Sequence, residues 1–597
     1  MEVTSNGAAD ILPSEYSVSN TVYEYGVTTL DVLHDGRIIF SNSDNTVRIL
    51  DPDSKHVALL VQNPVLRYGA FNAHPSTSWV LAIEEDHTNN TPYEIQNYIV
   101  AINAKSGEVK RVVSGSDFYY LPHFSVDGTR LSWLEWDHPE MLFDSSKVCC
   151  AEWNSDGAIR NKNTITGQND ECAAEPRWGR DGSFFFSQEV NGFRQLFRIR
   201  PGQNEAEHIK LRGLERAEIG EGMLMEGSRT YMPLSDRHLI ALAVLNGVAV
   251  LISVDLDTSE WEEIAKAEGI CSARGDTIAR IDDSSALVIG AARDRVQSLF
   301  RINIHDPSKN QLLRITCDNT YRSGLITPPE VVSIASKSSP SRKVHGFLYM
   351  PKNDKYIAKD GDLPPLIINA HGGPTGCTGC GLSLRTQYFT SRGYACLWVN
   401  YTGSTGYGDD YRRLLYGRWG IADADDVAEY ADYLAEQGRV RKGAVGITGI
   451  SAGGYNTLQA VVEHPATFAG GFCVSGISEL ETFDGSTHKL ESDYTSALVL
   501  PKRAATPADE RIKIYRERSA LHHVDKIRTP LYILHGQEDT VVPLEQARFI
   551  AAALKKNGGD VTLREVPGDG HVLGLPTSVK LWLEEEEKWW RRTLLKF

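Results

Sequence analysis

Residues 444–454, Ala-Val-Gly-Ile-Thr-Gly-Ile-Ser-Ala-Gly-Gly, constrain the fold of this chain more than any other stretch. Val445, Ile447 and Ile450 form a short apolar run suited to a buried strand, and residues 455–462 continue with helical periodicity. Between them Gly449, Ile450, Ser451, Ala452 and Gly453 spell G-x-S-x-G. A serine in so tight a strand-to-helix turn takes a strained backbone and thrusts its hydroxyl out at the top of a sheet. The turn closes only if its neighbours are nearly free of side chain, which Gly449 and Gly453 supply. The five-residue pattern alone also fits an ordinary glycine-rich turn of the kind nucleotide folds use. Context has to choose between the two.

From residue 326 onward the chain alternates strands with helices. After a strand-like segment at 343–350, apolar runs at 366–370, 395–400, 444–448, 470–474, 531–535 and 561–566 read as strands. Between them, 424–437, 455–463, 544–556 and 579–590 carry helical periodicity. Such alternation builds a mainly parallel sheet covered on both faces, so Ser451 follows a strand and opens a helix as its motif demands. In an α/β-hydrolase domain the serine is followed in the chain by an acid and then a histidine. Asp539 stands just past the apolar run 531–535, where a carboxylate can be held at the end of a strand; Glu538 is its rival and Asp569 a more distant one. Downstream of Asp539 the only histidine is His571, in Pro567-Gly568-Asp569-Gly570-His571. The interval of 32 residues holds one helix and one strand and so returns the chain to the same sheet edge.

Roles follow from the flow of charge. A serine hydroxyl is too weak an acid to attack unaided, so His571 takes its proton and later gives it to the leaving group, while Asp539 fixes the tautomer. The tetrahedral oxyanion needs two backbone donors. One is the N–H of Ala452; the other is assigned to Gly373 N–H, in the loop His371-Gly372-Gly373-Pro374 that follows an early strand.

The first half, residues 1–325, has a different grammar: short alternating apolar runs broken by turns. Asp35-Gly36, Asp127-Gly128 and Asp181-Gly182 each precede a β run, with weaker copies at His74-Pro75, Ser235-Asp236 and Asp282-Asp283. The interval is 54 residues from Asp127 to Asp181 and 55 from Asp181 to Asp236. Repeats of that period, each worth about four strands, point to a β-propeller of six to eight blades, about seven, in preference to a pair of sandwiches. The expected domains are therefore 1–325 and 326–597, with the first fifteen or so residues either a tail or packed on the second domain.

Composition excludes more than it assigns. The formal net charge of -16 argues against nucleic acid or anionic membrane as a partner, since both need clustered Lys and Arg. Residues 1–20 carry no secretory pattern, and no run approaches the roughly 20 apolar residues of a membrane helix. Nine cysteines without a framework suit a reducing compartment, so the expected location is the cytoplasm. Cys377 and Cys380 form C-x-x-C, but no second pair stands at zinc-site spacing and no helix pattern begins there. They read as loop cysteines near the site rather than a metal or redox centre, and no cofactor is expected. Asn89-Asn90-Thr91 and Asn400-Tyr401-Thr402 match the glycosylation acceptor by chance if the chain is not secreted.

Taken as a set, His371-Gly372-Gly373-Pro374, the run Asn400-Tyr401-Thr402-Gly403-Ser404-Thr405-Gly406-Tyr407-Gly408, Tyr416-Gly417-Arg418-Trp419-Gly420, residues 449–455, Thr487-His488-Lys489-Leu490-Glu491-Ser492 and the Asp539 and His571 loops resemble the prolyl-oligopeptidase family of serine peptidases. The likeness is to its acylaminoacyl-peptidase and dipeptidyl-peptidase-like branch, spans about residues 340–595, and extends to the first half only in architecture. It implies a propeller that covers the site and filters substrates by size. Thr402 departs from the family pattern, which usually has arginine there and uses it to brace the site. Dipeptidyl members also bind the substrate amine with a propeller glutamate pair; Glu84-Glu85 lies within an expected strand and does not take that role. The expectation is a serine hydrolase with acyl-enzyme chemistry acting on short peptides or acylated or aminoacyl amides. The alternatives are an esterase, lactonase or amidase on a small metabolite, or an inactive scaffold that binds partners through the propeller. Residues 479–508, mixed polar and aromatic, are expected to line the specificity pocket.

Overall fold

Every copy of the repeated turn joins two strands of one small sheet. The computed structural model describes residues 2–4, 7–167, 171–220, 225–273, 277–317, 322–501 and 506–596. Asp35-Gly36 connects Leu30–Val32 to Ile38–Ser41, Asp127-Gly128 connects Phe118–Phe124 to Arg130–Trp136, and Asp181-Gly182 connects Ala173–Trp178 to Phe184–Val190. The weaker copies do the same between Leu66–Ala73 and Trp79–Asp86, Tyr231–Pro233 and His238–Leu245, and Ile278–Arg280 and Ser285–Ala292. Gly36 (φ +88°) and Gly182 (φ +83°) take the left-handed conformation that closes these hairpins.

Among the described residues, these strands form six antiparallel sheets of four or five strands, each packed on the next in chain order. They are the blades of an N-terminal β-propeller. Six is the lower end of the six to eight expected, and each of the six turn copies has its own sheet among the described residues. Residues Glu2–Thr4 and Gly7–Ala9 pair as a separate two-stranded hairpin.

Past the sixth sheet, whose last strand is Gln311–Ile315, the chain enters an eight-stranded sheet. Its strands are β1 (Glu330–Ala335), β2 (Lys343–Tyr349), β3 (Leu366–Ala370), β4 (Ala395–Asn400), β5 (Val445–Ile450), β6 (Gly470–Val474), β7 (Leu531–Gly536) and β8 (Val561–Val566). The spatial order is 1-2-4-3-5-6-7-8; β1 and β2 run antiparallel to their neighbours and the rest are parallel. This is the α/β-hydrolase arrangement. β3 and β6 are buried at every residue, as parallel strands covered on both faces must be.

The helix Ala452–Glu463, which starts immediately after Ser451, is buried from Ala452 to Val462. Leu458 and Val461 join the apolar layer of Ile368, Ile447 and Ile533 on one face of the sheet, each such side chain worth roughly 1.5–3 kcal/mol on burial. A second cluster, with Phe472, Tyr532, Trp589 and Trp590, covers the opposite face. A third is shared between the halves: Tyr23, Phe118, Trp133, Trp136 and Phe143 of the propeller belong to one cluster with Trp419, Tyr455, Phe483, Tyr494 and Val542.

Polar contacts reinforce that seam. Arg412 pairs with Asp144 at 2.8 Å, with both side chains almost fully buried, and Tyr416 donates to the same carboxylate at 2.6 Å. Lys489 donates to Asn97 Oδ1 (2.6 Å) and to the Asp117 carbonyl (2.7 Å); its burial lowers its pKa to about 8. Among the described residues no helix is long and apolar enough to cross a membrane.

Candidate active site

Ser451 has φ +58° and ψ −122°, a combination that residues with a β-carbon rarely adopt and that costs on the order of 1–3 kcal/mol. Its surroundings enforce the twist. Ser451 N–H donates to the Val474 carbonyl at 3.0 Å, and its own carbonyl accepts from Tyr455 N–H at 2.9 Å. A β-carbon on Gly449 would stand 2.4 Å from Gly453 C, and one on Gly453 would stand 2.2 Å from the Ala370 carbonyl oxygen. The helix start therefore presses directly on the end of β3, and only glycine fits at either place.

Asp539 lies three residues beyond β7, with its side chain fully enclosed. It accepts hydrogen bonds from Val541 N–H (3.0 Å) and Val542 N–H (2.8 Å), and His571 Nδ1 approaches its two oxygens at 2.8 and 3.1 Å. Burial pushes its pKa up, but His535, His571 and the Val542 amide outweigh that and hold the carboxyl well below the usual carboxylate range. The rivals have other places. Asp569 Oδ1 accepts from Gly570 and Gly574 amides and Oδ2 from Leu575, so it shapes the loop that carries His571. Glu538 is exposed, and its amide donates to the Asp569 carbonyl at 3.0 Å, clasping the loops after β7 and β8 together.

Register explains the convergence. Ile450, Val474, Leu534 and Arg564 stand side by side on β5 to β8, so Ser451 and the loops holding Asp539 and His571 all leave the sheet at one edge. The structure joins acid to imidazole. Between the Ser451 hydroxyl and His571, both half-buried, there is no hydrogen bond among the described residues.

Of the two expected oxyanion donors, Ala452 is the first residue of its helix, where an N–H has no intrahelical acceptor. Gly373 has φ +53°, and the adjacent Gly372 would bring a β-carbon within 3.6 Å of Ser451 Cβ. The loop is braced from below: the His371 ring stacks on Tyr401 (4.2 Å between centroids), Tyr401 hydroxyl donates to the His371 carbonyl at 2.9 Å, and His371 Nε2 meets Ser404 Oγ at 2.7 Å. Tyr401 and Ser404 stand in the Asn400–Gly408 run, which thus serves to hold the loop of Gly373.

Thr402, where the sequence departs from the family pattern, is fully buried beside a guanidinium that comes from elsewhere. Arg342, between β1 and β2, hydrogen-bonds Thr402 Oγ1 and pairs with Asp426 at 2.7 Å, while Thr402 N–H donates to Asp426 Oδ2 at 2.7 Å. No sequence motif marks Arg342. Thr402 and Asp426 lie 60 and 84 residues from it in the chain.

Glu84 and Glu85 lie in strand Trp79–Asp86, as expected; Glu85 accepts from Tyr23 N–H and Asn97 and meets His87 at 2.7 Å. Cys377 and Cys380 sit in the loop beyond Gly373, Cys380 against propeller residue Cys271, whose carbonyl its thiol approaches at 3.4 Å. Between the halves lies a cavity of about 90 Å³, lined among others by Phe143, Glu189, Glu218, Cys377, Thr405 and Arg412. Burial raises the pKa of both glutamates, opposed at Glu218 by the Gly408 amide. From residues 479–508, Tyr494 reaches towards this region, its hydroxyl 2.5 Å from Thr375 Oγ1 and its ring against Phe143; residues 502–505 lie outside the described set.

Residues 381–596 match the family model described as "Prolyl oligopeptidase family". A dipeptidyl aminopeptidase BIII of Pseudoxanthomonas mexicana is 29% identical over 347 residues, 56% of this chain and 49% of that one. An acylamino-acid-releasing enzyme 2 of Oryza sativa subsp. japonica is 28% identical over 223 residues, 37% of this chain and 29% of that one. The chain thus spans half or less of the length of these curated relatives. A solved puromycin-hydrolyzing peptidase of Mycobacterium tuberculosis superposes with a TM-score of 0.90 at 28% identity, covering 98% of this chain and 89% of that one. By motif, by fold and by family model, residues 381–596 of this chain are similar to the prolyl oligopeptidase family.

Proposed function

We propose that this chain is a serine hydrolase that cleaves short peptides, or acylated or aminoacyl amides, through an acyl-enzyme, with Ser451, His571 and Asp539 as nucleophile, base and acid. The observation that carries the reading is the strained backbone of Ser451 at the same sheet edge as the Asp539–His571 pair. With His571 Nδ1 turned to Asp539, Nε2 is the free base. It takes the Ser451 proton as Oγ attacks the carbonyl, then gives it to the departing amine; water repeats the cycle to release the acyl group. The Ala452 and Gly373 amides receive the oxyanion, each donor worth roughly 3–4 kcal/mol where such groups have been measured. The hydroxyl-to-imidazole bond forms as substrate binds, since such bonds are often long in free enzymes and tighten in the complex.

Residues 1–325 and 326–597 act as separate domains in this reading, the propeller as a cover that admits short or flexible substrates. The acidic balance argues against nucleic acid or anionic membrane as partners, and nine cysteines without a framework suit a cytoplasmic, small-substrate role. Incubation with a fluorophosphonate probe should label Ser451, and aminoacyl and acyl-peptide amides should turn over. Labelling with ester-only turnover would replace the peptidase reading by an esterase; no labelling would leave the inactive scaffold.

A further inference from the structure

Asp539 is flanked by two imidazoles, and the proposed mechanism uses one. His535 is the penultimate residue of β7 and is completely enclosed. Its Nε2 lies 2.9 Å from the Val542 carbonyl and 3.2 Å from Asp539 Oδ2, the oxygen nearest to His571 Nδ1. A carbonyl only accepts, so Nε2 carries the hydrogen and shares it between the carbonyl and the carboxylate. The other nitrogen, Nδ1, is buried without a hydrogen-bond partner. An imidazole with an unmet buried nitrogen is a costly way to fill space at the end of a strand, where leucine or phenylalanine would pack with no such penalty. Its packing does not account for it; its contact with the acid does.

We infer that His535 is a positioning residue of the proposed reaction: its Nε2–H clamps the turn Asp539–Val542 and competes with His571 for the carboxylate. This rests on the assignment of Asp539 and His571 made above. The other charged groups around the pair are occupied or turned away. Glu565, opposite His535 on β8, is held by Arg548 (2.8 Å) and Gln537 (3.0 Å). Asp569 is spent on loop amides, and Glu538 is exposed. Among the groups that lower the Asp539 pKa, the hydrogen bond from His535 has the largest effect, against the opposing effect of burial.

The sign of the effect follows. With His535 in place, the carboxylate shares its charge between two donors and draws less strongly on the His571 proton. Without it, the carboxylate is the stronger acceptor, the imidazolium is harder to discharge, and the acid limb of the pH–rate profile moves to higher pH.

The test uses the full-length chain with His535→Leu, which removes the donor, and His535→Gln, whose amide can still donate. For His535→Leu, kcat/KM on a short peptide amide is expected to fall about 10- to 100-fold, mostly in kcat, the worth of a hydrogen bond to a charged group. Its acid limb should rise by about half a pH unit or more. His535→Gln should stay within about fivefold of the parent, with its acid limb near the parent's, because it restores a donor of the same reach. A leucine variant that is less thermostable but keeps the parent's acid limb and kcat would show a merely structural histidine and overturn the inference. If leucine does not fold, His535→Gln is compared with His535→Asn, whose shorter amide cannot reach; equal profiles for these two would overturn it as well. Failure of the parent to react with a fluorophosphonate removes the assignment of the site together with this inference; a reactive parent with unmoved variants removes this inference alone.

Discussion

The two halves of the molecule use glycine for opposite reasons. In the propeller hairpins, Gly36 (φ +88°) and Gly182 (φ +83°) take the left-handed twist themselves, in open space: a β-carbon on Gly36 would meet nothing within 4 Å. At the elbow, Gly449 and Gly453 have no such φ; they are glycine because backbone atoms stand 2.4 and 2.2 Å from where a β-carbon would be. There the twist falls on Ser451, which does have a β-carbon. A turn that only reverses the chain puts its strain on the residue that feels none. The elbow does the reverse, and loads the residue that does the proposed chemistry.

That contrast breaks most visibly at the proposed nucleophile. Ser451→Ala keeps the strained backbone and removes the hydroxyl; kcat is expected to drop by on the order of 10⁴–10⁶ with folding intact, and near-parental turnover would remove Ser451 from the role. Next comes crowding. Gly453→Ala forces the helix start off β3 and is expected to cost about 3–5 kcal/mol in denaturant unfolding and to abolish probe labelling. Tolerance of that alanine would mean the elbow is looser than its contacts imply.

A comparable effect is carried by pH. Asp423, fully buried and accepting from the Gly420 amide and from Asn456 on the elbow helix, has its pKa raised from 3.8 to about 7, burial being the main cause. Between those values the folded chain holds a proton that the unfolded chain has lost. Its contribution is therefore complete below about pH 4 and is lost as pH rises through 7, by up to about 4 kcal/mol. Asp423→Asn should flatten unfolding free energy over that window; an unchanged slope would assign it to other groups. Smaller still, Ser451→Gly should be more stable than Ser451→Ala by about 1–2 kcal/mol, the strain that a β-carbon bears at φ +58°. Smallest is Gly182→Ala, expected at about 1 kcal/mol with turnover unchanged.

Most of the framework was legible because its signals are local. All six turn copies fall between paired strands, and the expected runs 366–370, 395–400, 470–474 and 561–566 coincide with strands of the sheet. Asp539 could be preferred to Glu538 and Asp569 from its place past a strand, and it is Asp539 that meets His571. The start of the elbow helix was harder to read. Periodicity begins at Tyr455, yet the helix begins at Ala452, because Ala452, Gly453 and Gly454 carry no apolar pattern and are drawn into the helix by contacts with β3 and Gly476. Arg342 and His535 are not legible as site residues for a different reason. Arg342 acts through Thr402 and Asp426, which only folding brings near, and His535 reads as the end of an apolar strand because that is also what it is.

The apolar seam that includes Trp136, Phe143, Trp419 and Tyr494 has a last consequence. Neither half owns its own waterproofing on that side. A chain severed between Ile315 and Glu330 would give two fragments with greasy, aromatic wounds, so the halves are expected to melt as one body rather than in turn. The propeller is thereby made a partner in folding, and any hinge between the halves must flex without letting water into the weld.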